Sequence, residues 1–153
     1  VRKLSDAAIG ILYELSSNTN ANNGTFNAAP SYSGSGSATG AYWSFQSKGT
    51  LISGVVSPAT FPAPQTVVHS QLADISGDLA TLRVNGTQVG QSTADQGTGN
   101  FLAYPLYVCS RAGTSLFFNG QLYSLILRFS AANLDAATIT ATETWVNGKT
   151  RAF

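Results

Sequence analysis

The sequence predicts an all-β domain of two antiparallel sheets packed face to face, closed by one short C-terminal helix. Three observations predict it. Short runs of alternating apolar and polar residues recur along the chain, separated by Gly- and Asn-rich turns. Asn-Gly occurs at Asn23-Gly24, Asn85-Gly86, Asn119-Gly120 and Asn147-Gly148; at Asn85-Gly86 it lies between two alternating runs, as a two-residue hairpin loop does. Only one stretch, near the C-terminus, reads as a helix. Many short strands and one late helix make a two-layer sandwich.

The elements follow in order. "GILYELS" (Gly10 to Ser16) alternates between turn residues and reads as a strand. After the polar cluster "NTNANNG", "TFNAA" is a second short strand. Pro30 to Gly40, rich in Gly and Ser, is a flexible loop. In "AYWSFQS" Trp43 and Phe45 share one face and Tyr42 takes the other. "TLISGVV" is a further strand; "SPATFPAP" carries three prolines and cannot be a central one. "QTVVHSQLAD" resumes strand character. The hairpin Asp78 to Ser92 follows, with Leu82 and Val84 on one face. Asn85-Gly86 suits a type I′ turn, whose two central residues need positive φ. Thr93 to Asn100 is a loop, and "YPLYVCSR" a strand. "FFNGQLYSLILRFS" (Phe117 to Ser130) is the strongest β signal, and its Tyr123, Leu125, Leu127 and Phe129 face is expected to point into the core. "NLDAATITATETWVNGK" is the helix, capped by Asn133 or Asp135, with Gly148 as its left-handed stop and Lys149 complementing the dipole. Trp145 is expected to plug the core, and Glu143 to face solvent or cap. No internal repeat of fixed period is evident.

Composition narrows the function classes. With 153 residues and 43% hydrophobic content the chain is one folded domain, residues 1–153. Charged residues are 10%, against about 25% in typical globular proteins. Net charge is +1, so no field gathers nucleic acid or anionic lipid. No apolar run reaches the roughly 18 residues that span a bilayer, and no signal peptide is expected. Cys109 is the single cysteine, which excludes an internal disulfide and reads as a small buried residue. The chain has no Met and starts abruptly at "VRKLSD", so the expectation is a fragment, a processed product or part of a longer protein.

Over Asp74 to Thr150, "DISGDLATLRVNGTQVG", "NFLAYPLYVCSR" and "LFFNGQLYSLILRFSAANLDAATITATETWVNGKT" follow one another. This order resembles the concanavalin A-like, laminin G-type jelly-roll domains of tailed-phage structural and tail proteins. There an "RVNG" hairpin precedes a "PLYIG"-like strand, an "FNGRLYSLIVR"-like strand and an "EAWVAGKT"-like helix. The resemblance implies a jelly-roll sandwich located on a virion, either as a structural or decoration module contacting other virion proteins or copies of itself, or as a lectin-like glycan binder. Two departures stand out. Family members have Gly where this chain has Cys109, and a strand or two ahead of the counterpart of "VRKLSD". A missing strand leaves an open sheet edge that must be covered or paired.

Chemistry is sparse. Some proteins of the resembled fold are glucanases, and retaining hydrolysis needs two carboxylates about 5–5.5 Å apart. No acid-x-acid pair exists here, and Glu14 stands alone in its strand, so a glycan hydrolase is the weakest reading and no residue is assigned as catalytic. Asp74 and Asp78 flank an Ile-Ser-Gly turn, where Asp is ordinary turn chemistry. No G-x-S-x-G is present, and His69 is the only histidine, so neither a serine triad nor a zinc site can be assembled. No cofactor is expected. For calcium, "DQGTGN" offers Asp95 and Asn100, thin for a cation that wants six to eight oxygens. For a glycan, aromatic faces and amides near loops single out Tyr32, Tyr42, Asn100 and Tyr104, with Arg111 for an acidic sugar.

Overall fold

The computed structural model describes residues 1–130 and 132–153. Among these the chain is mostly β, with three antiparallel sheets and one C-terminal helix. β1 (Arg2–Lys3), β6 (Gln65–Thr66) and β11 (Gly120–Gln121) form a small sheet in the order β11-β1-β6. β2 (Tyr13–Leu15), β3 (Thr25–Ala28), β4 (Ser44–Lys48), β5 (Ile52–Val56) and β10 (Leu106–Val108) form the largest, in the order β10-β2-β3-β4-β5. β7 (His69–Asp74), β8 (Leu79–Val84) and β9 (Thr87–Ser92) form the third. Most strands lie where the alternation puts them; β1 carries no such signal.

The two larger sheets share one core. Tyr13, Ala28, Phe45 and Val55 make a cross-strand row on the inner face of the large sheet, and Trp43 lies fully buried beside it. Ala80, Leu82 and Val84 enter the same cluster from β8. Burial of a side chain such as Leu82 is worth about 1.5–3 kcal/mol. The hairpin closes as its turn residues require, with φ of 52° at Asn85 and 78° at Gly86. Only two residues, Val67 and Val68, separate β6 from β7. Val67 exchanges both backbone bonds with Val1, at 2.8 and 3.0 Å, so the β1–β6 ladder runs one pair beyond the strand bounds.

The helix α1 (Ala136–Thr150) starts at Asp135, whose carboxylate accepts from the Thr138 N–H at 2.7 Å. It runs past Gly148 and stops at Arg151, φ 49°, which corrects the expected stop. The reason is local: the Asn147 side chain accepts from the Ala152 and Phe153 N–H groups and ties the tail to the last turn. A second correction concerns Trp145, which is 59% exposed rather than a core plug. The residue that anchors the helix is Glu143, buried and not solvent-facing; it takes Arg83 of β8 in a two-point pair at 2.8 and 2.9 Å. Arg83 alternates with Leu82 and Val84, so the pair ties α1 to the face of β8 turned away from the core.

The largest correction falls on Phe117 to Ser130. Only Gly120–Gln121 is strand. Tyr123, Ile126, Leu127 and Phe129 are exposed, Phe129 by 62%, while Leu122 and Leu125 rest against the core. β11 takes its ladder from β1 over two residue pairs, and among the described residues no backbone ladder continues past Gln121. Alternation prepares side chains for a sheet but does not supply the neighbour that satisfies the backbone. Cys109 is half-buried with φ 61°, not a plain buried residue. That left-handed conformation is the one glycine adopts without cost.

Candidate functional site

A cleft of about 660 Å³ opens beside β7. One wall is Val67 to Ala73, the free edge of β7 and the residues leading into it; the other is Leu122 with Ser124 to Ser130. Phe26 and Phe45 of the large sheet form its floor, Ile139, Thr142 and Val146 of α1 its roof, and Val1 one end. Phe129 leans over the floor, its ring centroid 6.1 Å from that of Phe26. Such a lining takes an apolar or extended occupant.

Charge enters at the Val1 end. The α-ammonium donates to Val67 O at 3.0 Å, and burial holds its pKa below the ordinary value. Lys3 is buried with its Nζ 5.2 Å from the centre of the Trp43 ring. Burial lowers its pKa, against the opposing pull of Asp6 at 2.6 Å. Burial pushes Asp6 up, but hydrogen bonds from Lys3, the Ala63 N–H and Ser31 outweigh it and hold the carboxyl below its usual range. His69 packs on Trp43, centroids 4.9 Å apart, and touches Gln71 Nε2. Burial first, then the α-ammonium and Lys3, push it down to about 3. It is a neutral ring on the inner face of β7, opposite Val84, and no carboxylate orients it as a base.

The polar residues singled out in the sequence do not converge. Tyr32 and Tyr42 sit at the two ends of the Gly/Ser loop, beyond the Ala28–Phe45 end of β3 and β4, both half-buried. Asn100 and Tyr104 belong to the segment that bonds Gly24 through Leu102, beyond the Thr25–Lys48 end. Asn100 is exposed, and Tyr104 rests against the core. Arg111 is no free cation for an acidic sugar: it grips Glu14 at 2.9 and 3.1 Å. Glu14 also accepts from the Thr19 N–H at 2.7 Å and is fully buried. Asp95 accepts from the Gly97 N–H within its own turn, and no His, Cys, Asp or Glu cluster of three forms among the described residues. The sequence reading missed the cleft walls, although the run Leu122 to Phe129 was their signal: an apolar segment with no assigned partner.

Comparison with protein-family models, with curated proteins and with solved structures finds no match to this chain.

All seven carboxylates hold structural partners. Beyond Asp6, Glu14, Asp95, Asp135 and Glu143, Asp74 accepts from Ser76, the Gly77 N–H and Asn133. Asp78 accepts from the Gln96 N–H. Their partners are backbone N–H groups, the Ser31, Ser76 and Thr138 hydroxyls, the Asn133 amide and the Lys3, Arg83 and Arg111 cations.

Proposed function

We propose that this chain is a concanavalin A-like jelly-roll sandwich acting as a non-enzymatic structural or adhesion module of a phage particle, through protein–protein contact. The carboxylates favour the non-enzymatic part: all seven hold partners in turns, a helix cap and ion pairs, which stiffens a β framework, whereas hydrolysis would call on a pair of them. The core shared by the two larger sheets favours a sandwich. The left-handed Cys109, where the resembled domains have Gly, favours that family. The resemblance alone supplies the particle context. A second reading, a glycan-binding module, rests on Tyr32 and Tyr42 flanking one loop. Light scattering with a glycan array tests both: a stable oligomer without glycan binding supports the first. Glycan binding abolished by Tyr42→Ala supports the second. Oligosaccharide cleavage lost in Glu14→Gln overturns both.

A further inference from the structure

Four Asn-Gly pairs lie in this chain, starting at Asn23, Asn85, Asn119 and Asn147. Asn-Gly is the dipeptide in which a polypeptide most readily modifies itself. The glycine amide nitrogen attacks the asparagine Cγ, the side-chain nitrogen leaves as ammonia, and a cyclic succinimide forms. Water then opens the ring to aspartate or to isoaspartate, whose backbone is longer by a methylene. Glycine favours the attack because no Cβ hinders its nitrogen. The fold sets the remaining conditions: a side chain free to rotate and a glycine amide free to reach it.

Three of the pairs are held. The Asn85 side chain accepts from the Val68 N–H at 2.9 Å, and the Asn85 N–H donates to Val68 O at 2.9 Å. The Asn147 side chain donates to Phe153 O and accepts from the Ala152 and Phe153 N–H groups. Asn23 is exposed, but Gly24 is buried. The Gly24 N–H donates to Gly49 O at 3.1 Å, and the Gly24 carbonyl accepts from Leu102 at 2.9 Å.

Asn119 differs. It is exposed just ahead of β11, and its side chain makes no hydrogen bond among the described residues. The Leu4 N–H donates to Asn119 O at 3.0 Å, which puts these two at a bonded position of the β1–β11 ladder. The next pair, Lys3–Gly120, is then the non-bonded one. The Gly120 N–H therefore points away from β1, to the outer side of an edge strand, and no backbone acceptor meets it there among the described residues. A Cβ at position 120 would collide with the Arg2 carbonyl and the Phe118 ring, so the fold needs the very residue that leaves Asn119 reactive. An edge strand of two residues also opens readily, which gives the peptide the rotation that ring closure requires.

We propose that Asn119 is a self-modification site that converts to isoaspartate ahead of the other three, with water as the only co-reactant. The product puts an extra methylene and a negative charge into the backbone entering β11. That displaces the Leu4–Asn119 bond, loosens a ladder of only two residue pairs, and frees the apolar run that follows it from β1. Age thereby acts on the attachment of residues 120–130.

The test ages the folded chain in mildly alkaline buffer and maps isoaspartate by peptide mass spectrometry. Conversion at Asn119 is expected to run about tenfold or more faster than at Asn23, Asn85 or Asn147, each of which must first break hydrogen bonds. Amide exchange at Leu4 is expected to rise about tenfold or more in the converted fraction. Asn119→Gln, whose longer side chain cyclises far more slowly, loses both changes. In concentrated urea the four sites are expected to level, since all share the glycine and only the fold separates them. Conversion at Asn119 no faster than at the other three overturns the proposal, as does the same ranking in urea. Unchanged Leu4 exchange in converted chains overturns it as well.

Discussion

The β8–β9 hairpin and the stretch from Phe117 to Ser130 have similar alternation and both contain Asn-Gly, yet they differ in almost every structural respect. The hairpin is strand on both arms, its inner residues Ala80, Leu82 and Val84 fully or nearly buried. The later stretch is strand over two residues, then open, with Leu127 40% exposed. The hairpin brings its own partner: Asn85-Gly86 folds one arm onto the other, and β7 closes the far side of β8. The later stretch pairs with β1 over two residues, Gly120 and Gln121. Side-chain pattern proposes a strand; a neighbouring backbone decides whether it forms.

Substitutions can break or sharpen that contrast. The largest expected effect is Leu82→Ala, which opens a void in the shared core and costs about 3–5 kcal/mol by denaturant unfolding. Leu127→Ala in the same assay costs less than about 0.5 kcal/mol, as a change at a wet position does. Equal costs would erase the distinction between the two regions.

Next comes acid. His69 titrates at about 3 when folded, against an ordinary 6.5, so the unfolded chain binds its proton first. Stability is therefore full above pH 6.5 and falls as pH drops from there toward 3, by up to about 1.4 kcal/mol per unit from this residue. His69→Phe flattens that part of a pH series of urea melts. An unchanged slope removes His69 from the account.

Smaller effects test the turns. Gly86→Ala meets only ordinary contacts, 3.6 Å from Phe153, so its cost is conformational: about 1–2 kcal/mol for a side chain at positive φ. Cys109→Gly relieves the same strain where the chain itself carries it and stabilises by about 0.5–1 kcal/mol. A loss of stability in Cys109→Gly would mean that the half-buried thiol packs better than its backbone suffers.

Much of the β architecture was legible. The Asn85-Gly86 turn, the Trp43 and Phe45 face, the proline-broken segment and the Asp135 cap all rest on local rules, and local rules hold when the partner is close in sequence. Trp145 and Glu143 exchanged their expected roles because helix orientation was set by Arg83, 60 residues away in the chain. Arg111 and Glu14 are separated by 97 residues, so neither alone announced a buried pair. The cleft was illegible for the same reason: its two walls, around Leu72 and around Leu127, meet only in the fold. The glycan candidates were chosen by residue type near loops, and residue type carries no information about which loops share an end of the sheet.

Residue-resolved amide exchange on the 153-residue chain tests the central claim most directly. Amides of Thr81 and Leu82 should exchange only through global unfolding, while those from Ser124 to Phe129 exchange through local opening, about 1,000-fold faster or more. Equal protection in the two regions would contradict the account, because it would mean that the apolar run had found a backbone partner within these residues.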